Sequence, residues 1–168
     1  RAGTDPFAKA AEFLRSPLVL AALPRTSLTD PELEFVLGYL RRCILRGANA
    51  PPEFVCALAR NCFHSGYAFA EDEDERGRIA KTREAAEAEL EKTAPALPIL
   101  EQLLSLLALY EPLHTLRGAG RLGSFDWSAP FAPIVEEQVL NRVREEAIAA
   151  CIPVLTPIDD AVSKAVRE

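Results

Sequence analysis

The chain contains no methionine, one tryptophan, two histidines and eight glycines in 168 residues. No run alternates polar and apolar residues as a half-buried strand does, so the patterning predicts no sheet. No apolar run reaches the length of a membrane span. The most apolar, Leu97 to Tyr110, is interrupted by Glu101 and Gln102. No segment is a basic footprint either: residues 1–70 carry 8 basic and 6 acidic groups, residues 71–92 carry 5 and 9, and residues 93–168 carry 6 and 10. With a net charge of −6, this balance argues against nucleic acid and against an anionic membrane as partner, since both reward clustered cations. The N-terminus shows neither a continuous apolar leader nor a small-residue cleavage site. The four cysteines, Cys43, Cys56, Cys62 and Cys151, sit inside apolar helical patterns, in a chain too large to need disulfides. That usage reads as reduced and cytoplasmic.

What is present is helical. Hydrophobic residues make up 49% and charged residues 26%, a globular composition in a length that suits one domain over residues 1–168. Asp5-Pro6 opens a first helix, with Phe7, Ala10, Ala11 and Leu14 at helical spacing, and Ser16-Pro17 restarts a short second one to Leu23. Thr29-Asp30-Pro31 opens a third, whose stripe is Leu33, Val36, Leu37, Leu40 and Ile44 and whose end is marked by Gly47. Gly38, within it, costs about 1 kcal/mol relative to alanine and leaves room for a close neighbour without requiring one. A fourth helix is expected from Pro52 to Ala70 and a fifth, alanine-rich and charged, from Glu75 to Lys92. The sixth, Ile99 to Tyr110, is apolar almost all round and so predicted to be buried on most sides. Residues 117–131 form the one clear loop. A seventh helix is expected over Ala132 to Cys151, with Val139, Leu140, Val143, Ala147 and Cys151 inward, and Thr156-Pro157 caps a last one lined by Ile158, Val162 and Val166. The helices differ in length and spacing, and no signature recurs at a solenoid period. The reading is an all-α, non-repeating bundle of seven to eight helices. The missing methionine, and a last helical pattern that runs to Glu168 without a stop signal, read as a fragment of a longer multidomain chain.

The stretch Pro51 to Glu75 holds the residues that invite chemistry: Cys56, Cys62, His64, an aromatic group and five consecutive acids. On a helix, Cys56 and Cys62 project about 120° apart, and Cys62 and His64 about 160° apart. That divergence disfavours a zinc site, which wants short Cys-x₂₋₄-Cys loops or His pairs one turn apart. A thiol nucleophile at Cys62 needs a base, and only His64 and His114 are available. The acid run Glu71 to Glu75 lacks the glycine and ligand spacing of a calcium loop, and reads as a solvated connection whose last acids favour the next helix's N-terminus. Glu84, Glu87 and Glu91 share one face, solvated unless something basic docks there. The glycines at 118, 120 and 123 follow no strand and so make no dinucleotide loop. Phe125 and Trp127, in the same loop, are the candidates for a partner-docking patch.

Asn61-Cys62-Phe63, Tyr67-Ala68-Phe69 running into acids, Ala108-Leu109-Tyr110-Glu111-Pro112-Leu113, and Ile158-Asp159-Asp160-Ala161-Val162-Ser163-Lys164-Ala165-Val166-Arg167 together resemble a helical region of large bacterial proteins. Those proteins pair tetratricopeptide repeats with an S-adenosylmethionine-dependent methyltransferase, and the region lies between the two. The resemblance covers most of residues 17–168. It implies a non-catalytic spacer, substrate-docking or self-association domain with protein partners. S-adenosylmethionine would then bind elsewhere in the parent chain, because this sequence has no glycine-rich strand-to-helix turn to hold it. No catalytic, cofactor or metal residue carries over to any position here. Two other readings stand beside it: a free-standing helical adaptor working through the Gly118–Phe131 loop, with Phe125 and Trp127, or through the acidic helix, and a small thiol enzyme using Cys62.

Overall fold

Proline and aspartate set most of the helix starts. The computed structural model describes residues 12–25 and 30–152; the first turns of the expected first helix and the whole of the last one lie outside them. Residues 12–15 are helical, and after Ser16 come α1 (Pro17–Ala22) and a 3₁₀ turn, Leu23–Arg25. Asp30 caps α2 (Pro31–Leu45), its carboxylate accepting from the backbone N–H groups of Glu32 and Leu33 at 2.9 and 3.1 Å. Proline again starts α3 (Pro52–His64), and Asp72 starts α4 (Glu73–Glu91). α5 (Leu97–Leu107) is followed by 3₁₀ turns at Leu113–Thr115 and Ala119–Ser124. α6 (Ala132–Val135) runs through a π-helical turn, Glu136–Leu140, into α7 (Asn141–Cys151). Among the described residues there is no strand, and the fold is an all-α, non-repeating bundle of about eight helices.

α3 is the centre. Residues 54–59, 61 and 62 are all buried, and the helix touches α1, α2, α5 and α6. Around it α5 contributes Leu100, Leu104 and Leu107, each essentially without exposure, and α6 with the π turn contributes Ile134, Val135 and Val139. No helix among the described residues is long and apolar enough to cross a membrane.

Three expectations change. The fourth helix stops at His64 instead of Ala70, because Gly66 and Tyr67 both take left-handed backbone angles (φ 65° and 57°). The Tyr67 N–H then donates back to the Cys62 carbonyl at 2.8 Å, closing the helix as a glycine-based C-terminal motif does. Tyr67 and Phe69 therefore belong to the turn after the helix. In the third helix, Leu37, Leu40 and Ile44 are buried as the stripe predicts. Val36 instead faces out with Phe35 and Tyr39. In the seventh, the inward stripe holds only as far as Val139 and half-buried Leu140; residues 142–151, with Val143, Ala147 and Cys151 among them, are exposed.

The acidic run is the fourth correction. It is not wholly solvated, because Glu75 has no exposed surface. Its Oε2 accepts from the Asp72 N–H at 3.0 Å while Asp72 Oδ1 accepts from the Glu75 N–H at 2.8 Å, a reciprocal capping box. Its Oε1 accepts from the Tyr110 hydroxyl at 3.0 Å and lies 3.8 Å from Nη2 of Arg41, itself 1% exposed. The Arg41 guanidinium packs against the rings of Tyr110 and Phe69, 4.1 and 4.8 Å from their centroids. Nη1 donates to the Leu109 carbonyl at 3.5 Å, and the same Nη2 donates to the Ala70 carbonyl at 3.4 Å. Burial pushes the Tyr110 hydroxyl pKa well up, with the Arg41 charge opposing and the Glu75 carboxylate adding to the rise. Gly38 has its close neighbour here: a Cβ would meet the Phe69 ring at 3.4 Å. The acidic face of α4 is also served from within the chain, as Arg117 pairs with Glu87 and Glu91 at 3.3 and 3.0 Å.

Breaking the buried pair leaves one charge uncompensated, which typically costs about 3–5 kcal/mol. Glu75→Ala is therefore expected to lower stability by about that amount in urea unfolding, whereas Arg41→Met with Glu75→Leu recovers most of the loss. Equal stability of Glu75→Ala and the parent chain would show that the pair does not hold α2 to α4.

Candidate functional site

Both histidines come to one place. His64, the last residue of α3, and His114, in the 3₁₀ turn, line a cleft of about 320 Å³ built on the π turn, with Phe63, Gln138, Arg142 and Glu145 around them. The His64 ring holds its Nδ1 at 2.8 Å from the Pro24 carbonyl and its Nε2 at 3.5 Å from Glu137 Oε2. The His114 Nδ1 lies 3.2 Å from the Gln138 carbonyl. Glu137 is gripped a second time by Arg60, whose Nε donates to Oε2 at 2.9 Å and whose Nη2 donates to Oε1. Gln138 is fully buried, its Oε1 accepting from the Leu113 N–H at 3.0 Å. These contacts fasten the end of α3 to the first 3₁₀ turn and to the π turn. No serine, threonine or cysteine lines the cleft, so it has imidazoles and carboxylates without a hydroxyl or thiol beside them. Among the described residues, no group of three or more His, Cys, Asp or Glu side chains is placed to hold a metal ion.

Cys62 does not join the histidines. It is fully buried in α3, and Cys56 is 4% exposed. Burial pushes both thiols from 9.0 up to about 12; the charge of Arg41 works against the rise at Cys62, and Glu101 adds to it at Cys56. A nucleophilic thiol needs the opposite shift. The reach from His114 to Cys62 that the sequence left open is not made.

A second concavity, of about 490 Å³, lies between the C-terminal end of α2, the start of α3 and one face of α5. Ile44, Leu45, Val55 and Leu106 form its apolar walls, and Pro52 and Pro98 its stiff edges. Its polar groups are Asn49, Glu101, Gln102 and Ser105, and no lysine, arginine or histidine lines it. Glu101 is fixed from the loop side, accepting from the Ser128 N–H at 3.1 Å and its hydroxyl at 2.6 Å.

Phe125 and Trp127 are half-buried and packed on the core. Their rings meet edge to face at 5.6 Å between centroids, and Trp127 meets Phe131 in the same way at 5.1 Å. The indole N–H donates to the Leu122 carbonyl at 2.7 Å. Neither the π turn nor the apolar groove is legible in the sequence: a π turn has no composition of its own, and the groove's walls come from three separated segments. Comparison with protein-family models, with curated proteins and with solved structures finds no match for this chain.

Two outcomes follow from burial. Iodoacetamide at about pH 8 is expected to modify exposed Cys151 and to leave Cys56 and Cys62 untouched until the chain unfolds, since their thiolate fraction is negligible there. Because the folded state keeps these protons longer, their contribution to stability falls as pH rises from 9.0 towards about 12. Trp127→Ala is expected to cost about 2–3 kcal/mol in thermal or urea unfolding, as the loss of a packed aromatic does. An unchanged melting curve would show that the ring is not part of the core.

Proposed function

We propose that this chain is a non-catalytic helical docking domain of a modular S-adenosylmethionine-dependent methyltransferase. In this reading α7 meets the α/β catalytic domain that the resembling proteins carry after this region. The observation that carries the docking role is α7 itself. It has eleven residues and none of them is buried, yet Val143, Ala147 and Cys151 continue the apolar line of Val139 and Leu140. A free helix of that length is marginal in water, so an exposed apolar side is best served by a partner. The identity of the parent protein rests on the resemblance of three motifs, residues 61–69, 108–113 and 158–167. The non-catalytic character is supported by the buried, protonated thiols of Cys56 and Cys62 and by a histidine cleft that no hydroxyl or thiol lines.

Calorimetric titration of S-adenosylmethionine is the test. Binding is expected to a longer chain that includes the downstream domain and not to this one, and heat of binding from this chain alone would overturn the reading. Val143→Glu, at an exposed position, is expected to leave the melting of this chain unchanged. It should weaken association with the separately produced downstream domain by about tenfold or more, as loss of an interface anchor does.

A further inference from the structure

The apolar groove between α2, α3 and α5 has an electrostatic sign. Its one charged lining residue is Glu101. The last turn of α2 opens onto it through Ile44, Leu45 and Gly47, and a helix C-terminus carries partial negative charge. None of the arginines nearest in sequence lines it: Arg46 pairs with Asp72 and Asp74 at 3.3 and 3.2 Å, Arg60 pairs with Glu137, and Arg42, in the last turn of α2, donates to the Gly38 carbonyl at 3.3 Å. Glu53 adds a further exposed acid in the first turn of α3, beside Pro52. Inward of the groove, burial first and then the charges of Glu101 and Glu53 hold the Cys56 thiol in its protonated form, against the Ser105 hydrogen bond and the Arg60 charge. The volume lies in the range of ligand-binding concavities, about 300–1,000 Å³, and the prolines at its edges favour a preformed shape.

We propose that this groove binds a short peptide segment in which apolar side chains alternate with lysine or arginine, the apolar groups on Ile44, Val55 and Leu106 and the cation at Glu101. An acidic or phosphorylated segment is rejected, because no cation in the groove meets it and Glu101 repels it. The inference rests on the docking reading but uses a surface separate from α7.

Fluorescence anisotropy with three labelled peptides of about twelve residues tests it: leucine alternating with lysine, leucine with glutamate, and serine with lysine. The leucine–lysine peptide is expected to bind at least about tenfold more tightly than either of the others and to weaken with salt. Gln102→Arg places a cation at an exposed position on the rim. It is expected to weaken that binding about tenfold while leaving the circular dichroism melt unchanged. Equal binding of the serine–lysine peptide would reduce the effect to the chain's net charge and overturn the proposal. So would the absence of binding, or binding indifferent to Gln102→Arg. If the groove fails while the downstream domain still associates in a Val143-dependent way, this inference falls and the docking reading stands.

Discussion

The contact on which the bundle depends is the buried pair between Arg41 of α2 and Glu75 of α4. Neither side chain has meaningful exposure, and a lone ion in that position is far more costly than a satisfied one. The surroundings are arranged accordingly. Tyr110 gives Glu75 its hydroxyl, the backbone of Asp72 occupies the other carboxylate oxygen, and the rings of Phe69 and Tyr110 cover the guanidinium. Three stretches far apart in the chain are thereby fixed at one point: α2, the turn after α3 with the start of α4 that follows it, and the segment just after α5. The left-handed Gly66–Tyr67 turn is part of the same arrangement, because it brings Phe69 over Arg41. The rest of the core is leucine packing, which tolerates substitution of similar volume; this cluster specifies one arrangement of the helices.

With that cluster inside, the polar features near the surface divide by role. The histidine cleft is occupied with fastening, since His64, Arg60 and Glu137 tie α3 to the π turn and to the turn at Pro24. The groove at the other end of α3 has no such internal use. Its acid is anchored by Ser128, no cation lines it, and its walls are apolar. α3 thus carries a cross-braced end and a receptive end, and α7 leaves the body near the braced one.

Much of the fold was legible because its boundaries are marked by single residues. Asp30-Pro31, Pro52, Pro98 and Gly47 each announce a helix end through a fixed φ, a missing N–H or a left-handed angle, and the structure ends its helices there. The stop at His64 was not legible, because Tyr67 is an aromatic residue in a conformation that favours glycine and the apolar spacing runs on through Phe69. Nor was the burial of Glu75: five consecutive acids read as solvent-facing, and the partner that reverses this for one of them lies in another helix. The convergence of His64 and His114 was half visible. Helical phase already set His64 apart from Cys62 in the sequence, but nothing in the spacing showed that His64 and His114 would meet each other across the π turn.

The π turn has a consequence of its own. A π turn amounts to one extra residue within an α-helix, and one residue shifts the phase of everything beyond it by about 100° while lengthening the axis by only about 1.5 Å. α6 and the π turn keep Ile134, Val135, Gln138 and Val139 against the body; α7 inherits whatever bearing the extra residue dictates. A single codon gained or lost just beyond Leu140 would therefore swing the outward helix to a new compass point while Glu137, Gln138 and Val139 keep their contacts with the bundle. The side from which a neighbour is approached is, in this molecule, inheritable separately from the body that supports it.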